Sequence, residues 1–161
     1  MKTLHKITPC LWFDGQAEEA ANFYVSLFAD SRITHIQHTG EAGPGEPGSV
    51  MVVTFELDGQ PLIGLNGGPQ FPFTEAVSLQ IGCDSQQEVD DLWTRLTADG
   101  GEEGPCGWLK DKYGLSWQVV PRRLLELMDD PDPARAARVA EKMYTMHKLD
   151  IDALEAAAKG A

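Results

Sequence analysis

The chain has 161 residues, 42% of them apolar, and a formal net charge of −12. That length suits one domain, or two small halves sharing a core. The acidic balance argues against nucleic acid and anionic membrane as partners, since both repel it, and no run approaches the ~20 apolar residues that span a bilayer. The three cysteines, Cys10, Cys83 and Cys106, are odd in number and none pair at Cys-x-x-Cys spacing. They read as a reduced compartment. The N-terminus holds no apolar stretch of signal-peptide length, so a soluble cytoplasmic protein is expected.

Lys6 to Phe13 is a short apolar run. Pro9 removes a ladder donor, so the strand should lie near an edge or begin at the proline. Gln16 to Phe28 has helical spacing, with Ala17, Ala20, Ala21, Phe23, Tyr24, Leu27 and Phe28 on its apolar side. Asp14 is the N-cap candidate. Ser31 to Thr39 reads as a strand, in which simple alternation sets Ile33, His35 and Gln37 against Thr34, Ile36 and His38. Gly40 to Gly48 is a loop by composition. Ser49 to Leu57 and Pro61 to Leu65 are strands joined by an Asp58-Gly59 turn, and 66–73 is a Gly- and Pro-rich linker.

Ala76 to Cys83 is again a strand. Ser85 to Leu96 is a helix with Val89, Leu92, Trp93 and Leu96 inward, capped by Asp84 or Ser85 with Glu88 completing a capping box. A weak strand near Glu102 follows. Trp108 to Lys112 and Leu115 to Val120 then form a hairpin around Tyr113-Gly114. Trp117 and Val119 fall on one face of its second strand, and Ser116, Gln118 and Val120 on the other. Helices are expected at Arg122 to Met128, Ala134 to Leu149 and Asp150 to Ala158. Their apolar stripes are Leu124, Leu125 and Met128, then Val139, Met143 and Met146.

The two halves read alike: strand, helix, three strands. Asn22-Phe23-Tyr24 matches Asp91-Leu92-Trp93 and Leu27 matches Leu96, at an offset of 69. The last hairpins match at an offset of 55, Gly59 with Gly114 and Leu62 with Trp117. Self-similarity of this kind points to a duplicated unit. The segments ITPCLWFDGQAEEAANFYVSLF, FTEAVSLQIGCD and CGWLKDKYGLSWQVVP resemble the PhnB-like branch of the vicinal oxygen chelate (glyoxalase and bleomycin-resistance) superfamily. The C-terminal AEKMYTMHKLDIDALEAA is similar to the same branch, which is often labelled 3-demethylubiquinone-9 3-methyltransferase. The resemblance implies an α+β fold of two βαβββ modules whose curved mixed sheets surround a cleft, with C-terminal helices added. The corresponding segments are 1–67, 68–121 and 122–161. It also implies a homodimer with exchanged modules.

In metal-dependent members of the superfamily, each first strand and each last strand supplies one ligand. Carried onto this chain, those positions fall at Thr8, Ile63, Val77 and Gln118, which hold no charged donor. His35 and His38, three apart on a strand, are expected on opposite faces. No metal and no cofactor are therefore expected. The Gly-rich runs lead into a strand and a linker, not into a helix that could open on S-adenosylmethionine.

Apolar contacts to a ligand are assigned to Trp12, Trp108 and Trp117, and polar ones to Lys110, Gln118, Asn66 and Gln80. The plain alternatives are core tryptophans and a solvated Lys110/Asp111 pair at a strand end. Cys106 reads as a packing residue. The expected function is metal-free binding of a small, partly aromatic molecule. The alternatives are an enzyme of the same superfamily (lyase, isomerase, dioxygenase or the labelled methyltransferase) and an interaction protein whose cleft is closed by the partner module.

Overall fold

The computed structural model describes residues 5–161. The chain falls into two compact units, Met1–Pro72 and Phe73–Ala161, and each carries one four-stranded mixed sheet. The first contains β1 (Cys10–Phe13), α1 (Ala17–Val25), β2 (Arg32–His38), β3 (Val50–Leu57) and β4 (Gln60–Asn66). The second contains β5 (Ser78–Cys83), α2 (Gln86–Thr97), β6 (Glu102–Glu103), β7 (Trp108–Lys110) and β8 (Ser116–Pro121), followed by α3 (Arg122–Met128), α4 (Pro133–Met143) and α5 (Ile151–Lys159). The sheet orders are β1-β4-β3-β2 and β5-β8-β7-β6. In both, the first strand pairs parallel with the last and the other pairings are antiparallel. Two copies of one βαβββ plan are thus present, as expected for the α+β reading. Among the described residues no helix is long and apolar enough to cross a membrane.

In the first unit, Leu11, Phe13, Val53, Phe55, Leu62 and Gly64 share the face that α1 covers. Ala17, Ala20, Ala21 and Tyr24 are fully buried against it. Gly64 permits this approach: a Cβ there would lie 3.3 Å from that of Ala17. The opposite face presents Cys10, Trp12, Val52, Thr54, Ile63 and Leu65. β1 begins just after Pro9, as a proline requires. Asp58 (φ 48°) and Gly59 (φ 75°) make the two-residue turn between β3 and β4, both in the left-handed region that such hairpins need.

Two local expectations for this unit are corrected. Asp14 does not cap α1. Gln16 stands at the cap position without a side-chain bond, and Asn66 Oδ1 accepts the Ala17 N–H at 2.9 Å. Phe13 and Asn66 are register partners, so the end of β4 lies beside the helix start, and a distant residue takes over a local role. In β2, a register shift between Ile33 and His35 breaks the alternation, and a second shift lies opposite Gln37 and His38. Ile33 and Ile36 pair with Phe55 and Val53 on one face of β3, because the first shift leaves Thr34 as an extra residue in β2. The second leaves Met51 as an extra residue in β3, so β2 alternates unbroken from His35 to His38 and the two histidines fall on opposite faces.

In the second unit, Ile81, Cys83, Leu109, Trp117 and Val119 are buried on the sheet face that α2 covers with Val89, Leu92, Trp93 and Leu96. Ser85 Oγ accepts the Glu88 N–H at 3.2 Å. Glu88 Oε2 accepts from Asp84 N at 2.7 Å, one residue earlier than a strict capping box. The β7–β8 turn is built on Asp111, 2% exposed. Its Oδ1 accepts from Tyr113 N at 2.9 Å and Leu115 N at 3.0 Å. Its Oδ2 accepts from Trp117 Nε1 at 2.9 Å. The expectation of a solvated Lys110/Asp111 pair is therefore corrected: the two side chains leave β7 on opposite sides, and Asp111 turns inward because three N–H donors meet there.

The C-terminal helices share a core made of Val120, Leu124, Leu127, Val139, Leu149, Leu154 and Ala158, with Met143 and Met146 packed against it. Leu125 and Met128 are exposed, so the α3 stripe runs through Leu124 and Leu127 and not through the expected pair. The expected helix 134–149 ends at Met143. Beyond it, Met146 and His147 carbonyls accept from Cys106 N and Gly107 N, both at 2.8 Å. Those tertiary bonds replace further helical turns. They also dock the C-terminal segment on the second module, while Trp12 ties Gly68 and Phe71 to the first.

Asp111→Ala leaves three donors without their acceptor, two of them backbone. We expect a loss of about 3 kcal/mol of unfolding free energy in urea, with little change in the denaturant slope.

Candidate functional site

The face of each sheet away from its helix is where side chains remain available. On the second sheet, register places Ser78, Gln80, Ser116, Gln118, Trp108, Lys110 and Glu102 on that face. Val120, at its far end, belongs to the C-terminal core. A cavity of about 410 Å³ opens there, a size suited to a small ligand. Its apolar surface comes from Trp108, Leu109 and Pro105, and its polar groups from Ser116, Lys110, Glu75 and the carboxylates Glu102 and Glu103.

Three features give this cavity chemical character. Lys110 Nζ forms an ion pair with Glu75 Oε1. The hydrogen bond from Lys110 holds the Glu75 carboxyl below the usual carboxylate range and lifts the Lys110 ammonium above the usual lysine range. Trp108 is half-buried and presents a large amphipathic ring. Ser116 is 1% exposed, and its Oγ is a buried side-chain atom without a hydrogen-bond partner. A buried hydroxyl that makes no bond costs free energy, so an acceptor or donor supplied from outside is the natural complement.

The residues singled out from sequence separate into groups. Trp108 and Lys110 line this cavity. Gln80 and Gln118 are register partners on the same face, and Gln118 Nε2 donates to Ser78 Oγ at 2.9 Å. Trp117 lies on the other face, 2% exposed, with its N–H on Asp111; its ring is core. In the first unit, Trp12 Nε1 donates to Gly68 O at 2.8 Å and its ring meets Phe71 edge-on at 4.9 Å. Gly67 passes so close that a Cβ there would sit 2.2 Å from the indole. Asn66 spends its amide on structure, accepting from Ala17 N and donating to Val50 O. It also borders a second cavity of about 380 Å³ with Glu18, Thr39 and Ser49. Glu75 and Ser116 were absent from the sequence assignment. Ser116 was visible as an alternation partner of Gln118, but nothing local marks a hydroxyl as unpartnered. Glu75 precedes β5 and reaches Lys110 only through the fold.

The ligand positions of metal-dependent relatives can now be placed by geometry. Buried Leu11 and Phe13 correspond to Ile81 and Cys83, an offset of 70, whereas buried Tyr24 corresponds to Trp93 at 69. Three residues separate β1 from α1 and two separate β5 from α2, which accounts for the step. The third position, on the first strand of the second module, is therefore Ser78, not Val77. A slip of one residue changes the face. Thr8, Ile63, Ser78 and Gln118 offer two hydroxyls, one amide and no charge, and the Ser78 oxygen already accepts from Gln118. Among the described residues no group of three or more His, Cys, Asp or Glu is placed to hold a metal ion. The donor set does not fit a divalent ion of that kind. A nucleophilic role is equally unsupported at Cys83, whose thiol is pushed up to about 12 by burial and then by the Glu88 and Asp84 carboxylates.

Comparison with known proteins agrees with this architecture. The 3-demethylubiquinone-9 3-methyltransferase family profile matches residues 5–120, ending just before α3. A PhnB protein from Bacillus cereus, described as a proposed 3-demethylubiquinone-9 3-methyltransferase, is 40% identical with a TM-score of 0.65. The match covers 73% of this chain and 99% of that one. A Pseudomonas aeruginosa protein shares the fold at 20% identity and a TM-score of 0.61, covering 73% and 98%. A possible glyoxalase from Bacillus cereus is a more distant likeness, at 15% identity and a TM-score of 0.48, covering 72% and 99%. No curated protein matches the chain. The chain belongs to the 3-demethylubiquinone-9 3-methyltransferase-like, or PhnB-like, family.

Proposed function

We propose that this protein binds a small, partly aromatic molecule without a metal ion, on the open sheet face of its second module. The observation that carries the reading is the buried, unpartnered Ser116 hydroxyl bordering a cavity with Trp108 and the Lys110–Glu75 pair. Trp108 supplies apolar area, Ser116 a directional hydrogen bond, and Lys110 and Glu75 charges that a ligand can share. Gln118 and Gln80 extend the polar face beside them. Trp12 is the corresponding aromatic group on the first module's open face, and Asn66 borders the cavity of that unit. The uncharged donor set at Thr8, Ile63, Ser78 and Gln118 supports binding without metal.

The same reading includes a homodimer with exchanged modules and a cytoplasmic setting. Exposed Phe71 and Val77 flank the divide between the units and favour a covered apolar surface. The three free cysteines suit a reducing compartment.

Native mass spectrometry of gently purified protein tests the binding reading. We expect a small organic adduct whose retention falls about tenfold in Trp108→Ala. Ser116→Ala should weaken the adduct while leaving the empty protein as stable or up to about 1 kcal/mol more stable, because an unsatisfied buried hydroxyl is removed. Thermal melts with Zn, Ni, Mn, Fe(II) or Mg should show no stabilisation, although a site with affinity for the fold would add about 2.7 kcal/mol at a hundredfold excess. A stoichiometric metal lost in Gln118→Ala would overturn the proposal.

A further inference from the structure

We infer that the second-module cavity takes an organic cation: a protonated amine carried on a flat apolar body. This rests on the small-molecule reading of the same site and adds the charge class of the ligand. Three carboxylates border the cavity, Glu75, Glu102 and Glu103, against one cation, Lys110. Lys110 is already bound to Glu75, so its charge is matched within the pair. Glu102 is the register partner of Lys110 on the open face and is itself exposed. Glu103 accepts from Trp93 Nε1 through Oε1 at 2.6 Å, a neutral donor that leaves its charge in place. The field in the cavity is therefore negative, in a chain of net charge −12. An anion entering it would have to displace Glu75 from Lys110 while facing Glu102. A cation meets Glu102 directly and can lie over Trp108, whose ring face is electron-rich.

Acidic groups alone do not make a site, since carboxylates on an acidic protein are commonly solvated. The independent sign of a ligand is the Ser116 hydroxyl, buried and without a partner at the same cavity. A primary ammonium brings three donors, enough to reach Glu102 and still serve Ser116 as acceptor. A neutral or anionic ligand could satisfy Ser116 but would leave the excess of carboxylates over Lys110 at the cavity unmet.

The test uses three probes of one shape: phenethylamine, phenethyl alcohol and phenylacetate. Their binding is followed on the full chain by NMR titration of the Trp108 indole N–H. We expect the amine to bind up to about fivefold more tightly than the alcohol, the upper range for one partly exposed charge pair, and the acid to bind more weakly than both. The amine's advantage should shrink with added salt. Glu102→Gln should lower the amine-to-alcohol affinity ratio to about one. Trp108→Ala, followed by the Gln118 side-chain amide signals, should weaken both. Tighter binding of the acid, equal binding of all three, an amine-to-alcohol ratio untouched by Glu102→Gln, or no binding of any probe at about 10 mM would each overturn the inference. A neutral or anionic adduct in the native mass spectrum would overturn the cation inference while leaving the small-molecule reading standing. Absence of every adduct and every probe would remove both.

Discussion

The Asp111 carboxylate is the interaction on which the second module's face assignments depend. It is a buried charge that collects two backbone N–H groups of the turn and the indole N–H of Trp117. Burying a carboxylate is costly unless several donors meet it; here the donors are those that a tight hairpin would otherwise leave unsatisfied. By holding Trp117 inward, the carboxylate fixes the parity of β8. Ser116 and Gln118 must then face the other way, and the antiparallel register carries Trp108 and Lys110 with them. One tryptophan of the hairpin belongs to the fold and the other to the cavity, and a single carboxylate separates their roles.

The duplicated plan explains where the site can be. Each sheet spends one face on its helix. What remains is the opposite face, where the last strand runs beside the first. In the second module those strands meet through a Ser78–Gln118 hydrogen bond, a neutral contact at a place where a metal site needs charged or imidazole donors. The charged groups on the same face, Lys110 and Glu75, are matched to one another. The surface left over carries hydrogen-bonding groups, an aromatic ring and charge.

The repeat, the element order and the buried face of α2 were legible in the sequence because period and punctuation are local. Asp58-Gly59 marked its turn, Ser85 its cap, and Trp93 and Leu96 their helix face. What was not legible depended on distant partners. Asn66 reads as a polar strand-end residue and proves to cap α1 from 49 positions away. Trp117 and Trp108 look equivalent until Asp111 chooses between them. The bulge at Thr34 in β2 leaves no composition signal, and it puts Ile33 on the face of Ile36 against the expected alternation. Carrying a helix offset into a strand failed by one residue because the intervening turn is one residue shorter in the second module.

The division between Trp117 and Trp108 can be measured directly by hydrogen exchange of the tryptophan indole N–H signals in the native protein without added ligand. The account predicts that Trp117, buried and bonded to Asp111, exchanges only through global unfolding, with protection that tracks denaturant stability. Trp108, half-exposed at the cavity, should exchange many orders of magnitude faster. Comparable protection of the two indoles, or fast exchange at Trp117, would contradict the assignment of the hairpin's faces and with it the site.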